Sequence, residues 1–234
     1  MTNILDVALS PAKLWLCALM CAGVLVGGLS PAKAGEFSAD LVMRRDNAAT
    51  QAGRLWVRDG RVRIETPELP NAFFLVDASK PSAYFVRPAM HVYMDARQSS
   101  RLTRLFVPVD PDDPCRCWQA MAQLAGIAVQ GDWRCERMGT ETIGGRTTVV
   151  FRASSGSDQN YLGWIDPERK FPLRIKTEEG ATITLENIRD EVQPASSFEL
   201  PPDLRKFNPE GLIEQIKQSD VWVNEPKNDG SSRP

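Results

Sequence analysis

The dipeptide Asp59-Gly60 constrains this chain more than any other feature. It lies between two alternating runs, residues 53–58 and 61–65. Asp-Gly is the signal of a type I′ turn, because both central residues need positive φ, and such a turn fixes the register of the strands it joins. The register predicts Leu55 opposite Ile64, Trp56 opposite Arg63, Val57 opposite Val62 and Arg58 opposite Arg61. One face of this hairpin, Leu55, Val57, Val62 and Ile64, is wholly aliphatic. The other carries Arg54, Trp56, Arg58, Arg61, Arg63 and Glu65.

Two further alternating stretches, A-F-F-L-V-D at 72–77 and S-A-Y-F-V-R-P-A-M-H-V-Y-M-D at 82–95, extend the hairpin into an antiparallel meander. Their phase follows if the charges at the strand ends point to water. Asp77 outward turns Phe74 and Val76 inward; Arg87 outward turns Tyr84 and Val86 inward; Asp95 outward turns Val92 and Met94 inward. The predicted apolar surface is therefore Leu55, Val57, Val62, Ile64, Phe74, Val76, Tyr84, Val86, Val92 and Met94. A sheet face of this kind must be covered by helices, a second sheet or a ligand.

Residues 1–34 read as a secretory signal. An apolar run over 14–29 follows Lys13 and ends at Ala32-Lys33-Ala34, an A-x-A cleavage site before Gly35. The run is short for a membrane span and is interrupted by Gly23, Gly27 and Gly28. The expectation is export to the periplasm with cleavage after Ala34. The chain's near-neutral, slightly acidic balance, a formal net charge of −2, argues against nucleic acid as a main partner.

Cys115, Cys117 and Cys135 lie outside the signal. Zinc needs four ligands, and the chain has one histidine, His91, so metal binding is set aside. In an oxidising compartment a disulfide is expected. Cys135 pairs with Cys115 or Cys117; Cys115 is favoured, which leaves Cys117 free. Asp113-Pro114 marks a helix start, N-cap then first helical position. The helix runs to about Ala125, where Gly126 stops it. Trp118, Met121 and Leu124 form one stripe, so this helix is the natural lid for the apolar face, tied at its first turn by the disulfide. Residues 98–112, with Arg101 and Arg104, read as a polar linker whose early part carries a short helix.

From Trp133 the chain returns to short strands: 147–153 after the Gly144-Gly145 turn, 159–166, and a hairpin of 173–177 with 182–189 around Glu179-Gly180. The 198–201 run F-E-L-P is expected to close the sheet. Within this half, W-I-D-P at 164–167 followed by P-L-R-I at 172–175 resembles a hairpin of the LolA-like superfamily of envelope lipid- and lipoprotein-binding proteins. The F-E-L-P ending and the early G-R-L-W-V-R-D-G-R-V-R-I-E pattern are similar too, so the resemblance spans residues 37–202. It implies a mainly β, α+β fold: a curved antiparallel half-barrel of about ten strands over residues 35–207. One main helix lies on its concave side, above a cavity that holds acyl chains. The chain departs from that pattern at its start, where Phe37–Met43 reads as a strand rather than a leading amphipathic helix. No individual binding residue carries over.

A short C-terminal helix is expected over 208–218, with Leu212, Ile213 and Ile216 on one side, and a polar tail over 219–234. Three function classes remain. The first is a monomeric carrier of a lipid, a lipoprotein acyl chain or another hydrophobic molecule, with no cofactor. The second is an interaction or sensor module that docks an envelope protein. An enzyme is the weakest, since no G-x-S-x-G motif is present and Cys117 has no histidine at a recognisable spacing.

Overall fold

The computed structural model describes residues 35–46, 48–96, 102–127, 133–155, 159–209 and 211. The signal-like segment 1–34, nearly all of the helix expected over 208–218 and the 219–234 tail lie outside the described residues.

The chain forms one twelve-stranded sheet from two meanders. The first is β1 (Phe37–Arg45), β2 (Ala48–Arg58), β3 (Arg61–Glu65), β4 (Phe73–Asp77), β5 (Ser82–Arg87) and β6 (Val92–Asp95). The second is β7 (Arg134–Ile143), β8 (Arg146–Ser155), β9 (Gln159–Asp166), β10 (Phe171–Thr177) and β11 (Thr182–Arg189). Between them run α1 (Leu102–Leu105) and α2 (Pro114–Leu124); a two-residue strand, β12 (Arg205–Lys206), follows near the end. The order across the sheet is β12-β6-β5-β4-β3-β2-β1-β11-β10-β9-β8-β7. Every pairing is antiparallel except β12 with β6.

The Asp59-Gly60 register holds at each predicted pair, from Leu55–Ile64 to Arg58–Arg61. Asp59 and Gly60 both have positive φ, 46° and 83°. Two inward rows then cross the first meander. One is Phe37, Val57, Val62, Val76 and Ala83; the other is Ala39, Leu55, Ile64, Phe74, Phe85 and Met94. Val92 pairs with Arg87 on the same side as the second row.

Tyr84 and Val86 are on the opposite face. Tyr84 pairs with Leu75, and Val86 with Phe73. The four-residue turn after Asp77 pairs it with Ser82, so Ser82, Tyr84 and Val86 share the outward side of Asp77. Arg87 is on the inward side instead, where its exposed position at the strand end reaches water past the rim. A charge at a strand end is therefore a poor indicator of phase.

The inner face meets α1, α2 and the segment joining them in one hydrophobic core. Leu105, Phe106, Val107 and Val109 are buried there, so the stretch read as a polar linker supplies core. The Val109 N–H donates to the Lys170 carbonyl at 2.8 Å, which binds this segment to the second meander. α2 touches both β5 and β7, which are nine strand steps apart. In a flat sheet they would be about 43 Å apart at about 4.8 Å per step. An eleven-residue helix is only about 16 Å long. The sheet must therefore wrap around α2.

The outer face of β4, β5 and β6 has its own cover. Phe73, Leu75 and Val86 pack with Tyr84, Tyr93, Leu200 and Leu204. The F-E-L-P run thus does not close the sheet; it belongs to a C-terminal segment lying across this outer face. Only β12 adds to the sheet, at the β6 edge.

Candidate functional site

α2 forms where the sequence predicts. Asp113 caps it by accepting the Arg116 N–H at 3.3 Å, and Pro114 occupies the first turn. Trp118 and Met121 are almost completely buried, and each contributes about 2–3 kcal/mol by leaving water. The Trp118 indole N–H donates to the Leu105 carbonyl at 3.1 Å, which ties α2 to α1. Beneath the ring is Gly163 of β9; a Cβ there would lie 2.6 Å from Trp118 Cη2. Leu124, the third residue of the stripe, is only half-buried.

Cys115 and Cys135 form the disulfide and fasten the first turn of α2 to β7. That pairing removes both as metal ligands. Cys117 is free and donates to the Pro108 carbonyl at 3.2 Å. Burial pushes its thiol up to about 11, with the Arg116 charge pulling weakly the other way. Such a thiol is a poor nucleophile at neutral pH.

The far end of α2 is less complete. There the first inward row narrows from Val57, Val62 and Val76 to Ala83, and Ala96 follows β6 beside it, its N–H donating to the Ala83 carbonyl at 2.9 Å. Among the described residues no large side chain fills the space these alanines leave. A cleft of about 180 Å³ opens between them, Thr103, Met121, Leu124 and Ala125, with Arg104 and Ser82 also lining it. Most of the predicted apolar surface lies deeper. Leu55, Val57, Val62, Ile64, Phe74 and Val76 are buried in the packed core.

Other sequence features prove to be scaffolding. His91 is in the turn before β6, with φ of 52°, and its Nδ1 is 2.8 Å from Asp203 on the exposed surface. In the W-I-D-P stretch, Asp166 accepts the backbone N–H of Glu168 at 2.9 Å and of Arg169 at 3.2 Å, and holds the Arg146 guanidinium. The Trp164 indole donates to Glu141 at 2.6 Å. The Asp166 backbone contacts fix the β9–β10 turn, and the Arg146 and Glu141 contacts tie β9 to β8 and β7.

The mainly β, mostly antiparallel open sheet implied by the sequence resemblance is present, but with twelve strands rather than about ten and with two short helices, α1 and α2, rather than one main helix. The structure is similar to LolA-like proteins, at low identity. The MucA/MucB complex of Pseudomonas aeruginosa is matched at 15% identity and a TM-score of 0.36, over 73% of this chain and 57% of that one. An outer membrane lipoprotein-sorting-like domain from Vibrio parahaemolyticus is matched at 10% identity and a TM-score of 0.35, over 72% and 91%. PNGF-II is matched at 6% identity and a TM-score of 0.47, over 79% of this chain but 34% of that one. The chain thus spans about a third of PNGF-II and somewhat over half of the MucB chain. No family model matches, and no curated protein does. At such identities no activity or partner passes from these proteins to this chain.

Proposed function

We propose that this chain is an exported, non-catalytic binder of a hydrophobic ligand, with an acyl chain as the preferred class. The cleft at the open end of α2 carries this reading. Ala83, Ala96, Met121, Leu124 and Ala125 give it apolar lining, interleaved with polar side chains. Ser82, Tyr84, Asp95, Thr103 and Arg104 supply the polar part of the lining, which suits a ligand with an apolar tail and a polar head. The disulfide supports an oxidising compartment, and with the signal-like residues 1–34 it supports a periplasmic location.

The cleft accepts a short stretch of chain as it stands. Titration with cis-parinaric acid, a fluorescent fatty acid, tests the proposal. Saturable binding is expected, and Ala83→Leu should weaken it at least tenfold while far-ultraviolet circular dichroism is unchanged. Absence of binding by the unaltered protein would overturn the proposal.

A further inference from the structure

The cleft at the open end of α2 carries charge as well as apolar surface. Arg104 and Asp95 are the charged side chains among its lining residues. The Asp95 charge is answered from within the chain, because Lys206 Nζ is 3.0 Å from its carboxylate. β12 holds that lysine at the sheet edge from both sides. The Arg205 N–H donates to the His91 carbonyl at 3.0 Å, and the Phe207 N–H to the Tyr93 carbonyl at 2.7 Å. The carboxylate that would repel an anion is therefore already paired with a cation.

Arg104 is positioned separately from that pair. In α1 it lies between Thr103 and Leu105, both buried. The Trp118 indole N–H donates to the Leu105 carbonyl at 3.1 Å, and the Phe106 N–H to the Leu102 carbonyl at 3.0 Å. The backbone that carries the guanidinium is thus fastened to α2, whose Met121, Leu124 and Ala125 supply apolar lining to the same cleft. A guanidinium presents five N–H donors in a fixed fork, so it can take a carboxylate in addition to contacts it already makes. Arg104 is half-buried, and a charge pair is stronger there than in open water.

We infer that Arg104 reads the head group, and that the ligand is a single-chain amphiphile with an anionic head, specifically a long-chain carboxylate. The tail lies among Ala83, Ala96, Met121 and Leu124, and the carboxylate stays with Arg104. The cleft's volume of about 180 Å³, below the roughly 300–1,000 Å³ of a typical small-molecule site, suits one chain rather than two. The inference rests on the proposed reading of the cleft as a site for hydrophobic ligands.

Displacement of N-phenyl-1-naphthylamine, an uncharged fluorescent probe, from the full chain at pH 8 tests it. Dodecanoate, dodecanol, dodecylamine and dodecyl phosphate are the competitors, with one tail and four heads. Dodecanoate is expected to displace the probe at a concentration at least tenfold below dodecanol and dodecylamine, as a charge-assisted pair would give. Arg104→Gln should bring acid and alcohol to within about twofold by weakening the acid alone, and Arg104→Lys should restore part of the difference. Arg137→Gln, exposed on β7, should leave the difference intact. Equal displacement by acid and alcohol from the unaltered protein overturns the inference while the hydrophobic-binder reading stands. A preference that survives Arg104→Gln, or is lost equally in Arg137→Gln, removes Arg104 as the reader. Dodecyl phosphate displacing tenfold better than dodecanoate overturns the carboxylate in favour of a phosphate head. No binding of the probe or of cis-parinaric acid removes the binder reading and this inference with it.

Discussion

Single side chains decide how firmly the lid is held. Gly163 has no Cβ because the Trp118 ring occupies that space, and the ring is fixed by its bond to Leu105. Gly163→Ala should cost about 1–3 kcal/mol by overpacking, read as a lower denaturant midpoint. Cys117 gives a second prediction. Its folded pKa is raised to about 11 from an ordinary 9.0, so the native state retains a proton that the unfolded chain loses first. Stability linked to this group is complete below pH 9 and falls between about 9 and 11. Iodoacetamide at pH 8 should label Cys117 far more slowly in the native protein than in guanidinium. Asp77 has the opposite sign. Burial raises its pKa, but hydrogen bonds from the Ser79 hydroxyl and the Ser79 and Lys80 N–H groups, with Arg61 nearby, outweigh it and leave it lowered. Its contribution is present above the unfolded carboxyl range, near pH 4, and is lost as pH falls through the lower folded value. Asp77→Asn should lower stability at pH 7 and flatten the decline below pH 4, measured by urea unfolding across pH.

At the level of elements, the disulfide closes a loop between α2 and β7 with a sequence separation of 20. Replacing Cys115 and Cys135 with Ser should cost about 3 kcal/mol and loosen the Cys115 end of α2. Thermal unfolding with and without the bridge checks this. Much of this level was legible beforehand. Asp59-Gly60 set four pairs, Asp113-Pro114 set the start of α2, and Cys115–Cys135 was the favoured bridge. The errors share one cause, which is reading charge as position. Arg87 was taken as outward, which inverted Tyr84 and Val86; the parity of the turn after Asp77 was the better guide. Arg101 and Arg104 made 98–112 look polar and hid Leu105, Phe106, Val107 and Val109. The cleft was not legible at all, because it depends on which rows α2 fails to reach once the sheet has wrapped.

For the whole molecule, Ile64 is the most informative site. It is fully buried, so Ile64→Glu should unfold the domain rather than only empty a groove, with loss of the cooperative thermal transition. The position of β1 has a consequence in time. Although first in the described chain, it lies mid-sheet and takes β11 as its second neighbour, with Ser38 opposite Arg189. The two meanders become one sheet only when residues some 150 positions apart meet, and loop closure over such distances makes folding slow. During synthesis the free side of β1 must wait for nearly all of the domain to emerge, so the nascent molecule presents an open, apolar-faced strand edge until the last hairpin arrives.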